Sequence, residues 1–231
     1  MLAALGVRLD RAGTEVAVEG GQEFGGFEFD VPADISSAAF WMVAAAMLPG
    51  SEVKMNAVGL NPSRTGVLEV LDQAGVDIRI EGGPTQLGEP TGDLMVHHRG
   101  ALRGFEIGGD LVPRLIDEIP VLAVLATQCE GPSIIRDAEE LRVKESDRIQ
   151  KVAEGLRSMG ARVEEYPDGM RIEGPTQLTG ATIDAAGDHR IAMSFAIAGM
   201  VASSPTTVTG AQTIMTSYPE FERHRRQLVE E

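Results

Sequence analysis

The sequence predicts an α/β domain with helices at its centre rather than on its surface. Three observations carry this. One arrangement of a β-like run, an Asp, an apolar helix and a second β-like run recurs three times. Its helices are apolar almost all round, which places a helix inside a protein. Each is followed by a segment with the ordinary one-sided apolar periodicity of a surface helix.

In chain order, "MLAALGVRLDRAGTEVAVEG" resembles the close of such a unit, so the chain is expected to begin mid-repeat. The first full unit reads "FEFDVPADISSAAFWMVAAAMLPGSEVKMNAV" and continues into "SRTGVLEVLDQAGVDIRI". The second is "FEIGGDLVPRLIDEIPVLAVLATQCEGPSIIRDA", followed by "SDRIQKVAEGLRSMGARVEEY". The third is "ATIDAAGDHRIAMSFAIAGMVASSPTTVTGA", followed by "YPEFERHRRQLVEE". The recurring acids are Asp34, Asp117 and Asp188. At a helix start each can cap free N–H groups, and three converging helix starts would attract an anion through their dipoles.

The 231 residues carry 20 Lys and Arg against 35 Asp and Glu, a net charge of −15. That balance repels nucleic acid and anionic membranes, which bind through summed cation contacts. No apolar stretch reaches the roughly 20 residues needed to span a bilayer. The N-terminal residues lack a basic leader followed by an apolar run, so a cytoplasmic setting is expected. The single cysteine, Cys129, follows an apolar run and reads as an inert, partly buried thiol.

In so acidic a chain, clustered cations are informative. "LRVKESDRIQKVAEGLRSMG" (141–160) places Val143, Ile149, Val152, Ala153 and Leu156 at helical spacing, with Lys144, Arg148 and Lys151 toward another side. Two cations four apart repel mildly on a helix. Either this is a solvated face paired as Glu145–Arg148 and Asp147–Lys151, or it meets an anionic ligand. In "GDHRIAM" (187–193), Arg190 sits in a first helical turn, against the dipole. A bound anion, or a buried pair with Asp188 or Asp117, would resolve that conflict. Asp117 and Glu118 precede Pro120, a favourable first-turn residue. They read as helix capping, and a carboxylate there can also accept a proton if its surroundings tune it. Ser36, Ser37 and Arg64 lie in a helix entry and a Pro/Gly turn. His97 and His98 are adjacent and His224 is distant, so no metal is predicted.

Together, "DVPADISSAAF", "GLNPSRTG", "IDEIPVLAVLA", "EELRVKESDRIQKVAEGLRSMGA", "GDHRIAM" and "TSYPEF", in this order, resemble the 5-enolpyruvylshikimate-3-phosphate synthase family. The resemblance spans nearly the whole chain. It implies two domains, each an inside-out α/β barrel of three βαβαββ units with buried parallel helices. Residues 1–30 would be the tail of the first domain and residues 31–231 most of the second. It implies transfer of the enolpyruvyl group of phosphoenolpyruvate to the 5-hydroxyl of 3-phosphoshikimate, with release of phosphate, no cofactor, and glyphosate as a candidate inhibitor. By the family's pattern Asp117 contacts the shikimate and accepts the hydroxyl proton, Lys144 binds the phosphoshikimate, Arg148 and Arg190 clamp phosphoenolpyruvate, and Glu145 moves a proton at its methylene carbon.

Departures from the pattern are Glu140 where some members have Asn, Thr216 where some carry a phosphate-binding Lys, and Ala33 in place of Gly. The family's N-terminal Lys-Ser pair, its "GNSGT" segment, an Arg of the first domain and its Ser-Ser/Ala-Gln segment have no counterpart here. The 231 residues alone are therefore expected to be inactive without a complementary N-terminal half. Two alternatives stand beside this reading: the sister enolpyruvyl transferase acting on UDP-N-acetylglucosamine, and a non-catalytic domain that binds an anion or a partner.

Overall fold

Residues 1–34 contribute no buried side chain. Within them β1 (Leu9–Ala12) and β2 (Glu15–Val18) form an antiparallel hairpin turned at Gly13, where φ is 61°, a conformation glycine adopts without strain. Val16 and Val18 of this hairpin remain exposed. The computed structural model describes residues 1–230, with side chains through Leu228.

The first unit contains α1 (Ile35–Met47), β3 (Glu52–Gly59), α2 (Gly66–Gln73), β4 (Asp77–Gln86) and β5 (Glu89–His97). The second has the short strands β6 (Leu102–Arg103) and β7 (Glu106–Ile107), then α3 (Ile119–Ala126), β8 (Cys129–Ile135), α4 (Arg148–Ser158), β9 (Arg162–Tyr166) and β10 (Gly169–Gly174). The third has β11 (Thr182–Asp184), α5 (His189–Val201), β12 (Thr207–Thr209) and α6 (Phe221–Glu230).

The strand pairing repeats with the sequence. In each unit the segment before the buried helix runs parallel to the strand after it: Ala33 bridges Val58, β7 pairs β8, and β11 pairs β12. A helix crossover between parallel neighbours produces this geometry. The first two units then close with an antiparallel hairpin, giving the orders β3-β5-β4 and β8-β10-β9. Among the described residues β12 pairs only with β11.

The central helices behave as their composition requires. Every residue of α1 except Ser37 is buried, as is all of α3, and α1, α3 and α5 contact one another. With no polar face, α1 and α3 cannot lie at a surface, and α5 buries Ile191–Phe195, Ile197 and Ala198. The outer helices show one apolar side: Val67, Val70 and Leu71 of α2, and Ile149, Val152, Ala153 and Leu156 of α4, point inward. Trp41 of α1 stacks on Phe221 with centroids 5.0 Å apart, and its Nε1 donates to the Tyr218 hydroxyl at 2.8 Å, which ties α6 to the core. No helix among the described residues is long and apolar enough to cross a membrane.

One element starts later than its periodicity suggests. Helix α4 begins at Arg148, not near 141, and 139–143 form a separate 3-10 turn. Asp147 is the reason: its carboxylate accepts from the Gln150 N–H at 2.9 Å, and an N-cap residue lies outside the helix it starts. Val143 is consequently 80% exposed, and its helical spacing is coincidental. Lys144 and Arg148 do not share a helix face, so the like-charge repulsion does not arise.

Helix α4 approaches α5 closely at Gly155, where a Cβ would collide with the Phe195 ring. Gly155→Ala is expected to destabilise the fold by about 1–3 kcal/mol through overpacking. Urea unfolding of the variant should show a lower midpoint, and an unchanged midpoint would contradict this packing.

Candidate active site

The starts of four helices meet at one place, and hydrogen bonds between them define it. Asp188, the N-cap of α5, accepts from the backbone N–H groups of Arg190 at 2.8 Å and Ile191 at 3.4 Å. The same carboxylate takes the Ser146 hydroxyl at 3.0 Å and Nε of Arg148, the first residue of α4, at 2.8 Å. Asp188 is 0% exposed and Arg148 1% exposed. The remaining guanidinium nitrogens of Arg148 reach Asp117 Oδ1 at 2.9 Å and Glu145 Oε2 at 2.6 Å.

Beside this cluster, Arg190 donates from Nη1 to the Ser36 carbonyl of α1 at 3.3 Å and lies over the Phe40 ring, 5.9 Å from its centroid. Arg64 donates to the Ser36 hydroxyl at 2.8 Å and pairs with Asp34, the N-cap of α1, at 3.6 Å. Glu118, at the entry to α3, is 2% exposed, and the nearby Ser36 hydroxyl favours its ionised form. Cations, buried acids and helix ends are thus gathered on one side of the domain. Free N–H groups and guanidinium forks suit small carboxylate and phosphate anions.

The model described as EPSP synthase (3-phosphoshikimate 1-carboxyvinyltransferase) matches residues 1–224. The chain belongs to the EPSP synthase family. Among EPSP synthases of curated name, the 3-phosphoshikimate 1-carboxyvinyltransferase of Synechococcus sp. (strain JA-3-3Ab) is 53% identical over 223 residues, covering 96% of this chain and 50% of the relative. That of Bacillus licheniformis is 48% identical over 231 residues, covering 100% of this chain and 54% of the relative. The chain spans about half the length of the curated relatives it matches. The solved EPSP synthase of Acinetobacter baumannii superimposes with a TM-score of 0.93 at 41% identity, covering 98% of this chain and 53% of that one. The enolpyruvyl transferase NikO from Streptomyces tendae shares the fold, with a TM-score of 0.76 at 21% identity.

Within this EPSP synthase fold the structure brings Asp117, Glu145 and Arg148 into direct contact and sets Arg190 beside them. Lys144 stands apart, its ammonium 3.0 Å from Glu140. Of the two local pairs the sequence offered, Glu145–Arg148 forms. Asp147–Lys151 is not the pairing found: Asp147 caps α4 and pairs with Arg142 at 2.9 Å, while Lys151 pairs with Glu154 at 3.3 Å. The buried partner of Asp188 is Arg148, and Asp188 meets Arg190 through its backbone. Asp117 does not cap α3. Glu118 occupies the N-cap position there without a capping bond, which leaves Asp117 free to reach Arg148.

Two roles were not read from sequence. Asp188, besides capping α5, neutralises Arg148, and Glu118 is a buried acid. An acid directly ahead of an all-apolar helix was the available signal for the second.

Burial is the largest influence on each buried group. It pushes the Asp188 carboxyl up, but the hydrogen bond and charge of Arg148, the Arg190 N–H and the Ser146 hydroxyl together hold it below the ordinary value. At Glu118 burial prevails over Ser36 and Arg190 and raises the carboxyl. Burial also lowers His189, with the Arg190 charge adding to it, and pushes the Cys129 thiol up to about 12, which leaves that sulfur inert. Among the described residues no three His, Cys, Asp or Glu side chains converge to hold a metal ion.

Because the folded Asp188 value lies below the reference of 3.8, its ionised form stabilises the fold fully above that pH. This stability is lost as pH falls through the depressed folded value. Asp188→Asn is expected to cost about 3–5 kcal/mol near neutral pH, because it breaks a buried ion pair and leaves Arg148 only the partly exposed Asp117 and Glu145. In denaturant titrations the gap from the parent chain should narrow in acid, and a gap independent of pH would contradict the pairing.

Proposed function

We propose that this chain carries the C-terminal half of the active site of a cytoplasmic 3-phosphoshikimate 1-carboxyvinyltransferase. The enzyme transfers the enolpyruvyl group of phosphoenolpyruvate to the 5-hydroxyl of 3-phosphoshikimate and releases phosphate. The observation that carries this reading is the asymmetric setting of Arg148. Its bond to Asp188 is buried on both sides, whereas Asp117 and Glu145 are 38% and 47% exposed.

The asymmetry suits an anionic substrate. The Asp188 bond fixes the guanidinium, and the two exposed carboxylates are exchangeable partners. When the carboxylate of phosphoenolpyruvate takes their place on Arg148, with Arg190 as a second cation, Asp117 and Glu145 are released for proton transfer. Asp117 accepts the proton of the 5-hydroxyl as its oxygen attacks C2 of phosphoenolpyruvate. Glu145 delivers a proton to C3, giving the tetrahedral intermediate. The Glu145 carboxylate left by that transfer then takes a proton back from the new methyl group, which re-forms the C2–C3 double bond and breaks the C2–O bond to the leaving phosphate. The cations stabilise charge on the reacting anions throughout.

Lys144 completes the assignment as a phosphoshikimate ligand. Its pair with Glu140 is partly exposed, and such pairs contribute at most about 1 kcal/mol, so a phosphorylated substrate can displace it. Glyphosate, an anion, would compete for Arg148 and Arg190. The contacts that the family's pattern assigns to an N-terminal half are each worth about 1.5–3 kcal/mol as charge-assisted bonds. Without them the 231-residue chain is expected to turn over negligibly.

The deciding assay is phosphate release from phosphoenolpyruvate and 3-phosphoshikimate, with this chain alone and with a separately expressed N-terminal half of a family member. Activity is expected only in the mixture, with Asp117→Asn reducing it about 10²–10⁴-fold. A folded complex of the two halves that releases no phosphate would identify a non-catalytic domain instead. Product formed from UDP-N-acetylglucosamine would point to the sister transferase.

A further inference from the structure

The reaction as proposed leaves Glu118 without a task, yet its setting is costly. The side chain is 2% exposed, and Oε1 is buried with no hydrogen-bond partner. Buried carboxylate oxygens in folded proteins are nearly always satisfied, because an unmet one has lost water for nothing. A purely structural acid would be expected to have both oxygens bonded.

Its neighbours say what the acid serves. Ser36, fully buried, favours the ionised form of Glu118, accepts from Arg64 on its hydroxyl at 2.8 Å, and accepts from Arg190 on its carbonyl at 3.3 Å. One residue thus links Glu118 at the α3 entry to Arg190 on α5 and to Arg64 in the turn before α2. The charged groups that act on Glu118 are Arg190, Arg64 and the adjacent Asp117. We propose that Glu118 is a positioning residue which, with Ser36, holds Arg190 for an anionic substrate and takes up a proton when that anion binds.

The proton balance is simple. In the empty site the Arg190 charge favours a carboxylate. An anion docking on Arg190 brings negative charge close to Glu118, and Asp117 already adds to it. Protonation from solvent removes the repulsion and converts an oxygen without a donor into a hydroxyl that can itself donate. Burial, which already raises this carboxyl, makes the uptake accessible.

The inference rests on the functional reading above only for the identity of the anion, so two measurements separate them. The first needs no turnover: side-chain ¹⁵N spectra of the 231-residue chain. Glu118→Gln should make the Arg190 guanidinium more mobile while leaving that of Arg148 unchanged. An unchanged Arg190 signal would overturn the positioning role, and loss of both signals together would mean a merely structural one. Should that variant not fold, Glu118→Asp, which withdraws the carboxylate by one methylene, gives the same comparison.

The second measurement uses the mixture of halves. The KM for phosphoenolpyruvate should rise with pH by up to about tenfold per unit where one proton is taken up. In Glu118→Gln the profile should be flatter, with the variant's defect carried by KM more than by kcat. Parallel profiles would overturn the proton uptake. A mixture whose parent form does not turn over would count against the functional reading, and the spectra would still decide the positioning role.

Discussion

The pair between Arg148 and Asp188 is the interaction on which the rest of the site depends. Both side chains are sealed from water, so Asp188 would be an uncompensated buried charge without Arg148, and Arg148 would keep only its two partly exposed partners. Asp188 also satisfies two N–H groups at the start of α5 and the Ser146 hydroxyl. A single carboxylate therefore fixes where α4 begins relative to α5, and that placement decides which way the Arg148 guanidinium faces. Asp117 and Glu145 can be brought to one cation only because this anchor comes from the far side.

Gathering helix starts has its own electrostatic cost. Aligned dipoles place partial positive charge at each N-terminus, and several such ends repel one another. The fold answers with buried acids at the ends: Asp188 at α5, Glu118 at α3, and the more exposed Asp34 at α1. The net charge of −15 does not conflict with anion binding here. Salt screens surface charges beyond a Debye length of about 8–10 Å, whereas partly buried groups are screened much less. A docked anion responds mainly to the arginines and helix ends around it.

How much of this was legible in the sequence follows from the range of each interaction. The all-round apolar helices and the caps Asp34 and Asp188 were readable, because they depend on residues within one or two turns. The start of α4 was misplaced because Val143 fell by chance at helical spacing, and Asp147 could pass as a surface charge as easily as a cap. The partner of Asp188 was left open because the choice between Arg190, two residues away, and Arg148, forty away, depends on how two units pack. Residue types and motif order pointed to Asp117, Glu145, Arg148 and Arg190. They did not reveal that three of these four would be found bonded together.

The three units show how one pattern yields three different settings for an acid. The acids aligned by sequence are Asp34, Asp117 and Asp188, but in space the N-cap of α3 is Glu118, one residue later. A 3-10 turn over Ile116–Glu118 makes this shift, and the Glu118 N–H bonds to the Leu115 carbonyl within it. With that end of the backbone already partly satisfied, neither acid of the second unit is needed as a cap. Asp117 is free to face the guanidinium, and Glu118 is buried. The first unit, whose cap is half exposed, retains an ordinary helix start, and the third retains a cap that also holds a buried cation. Burial and a one-residue shift, acting on a repeated motif, distinguish a cap from a carboxylate that faces a cation.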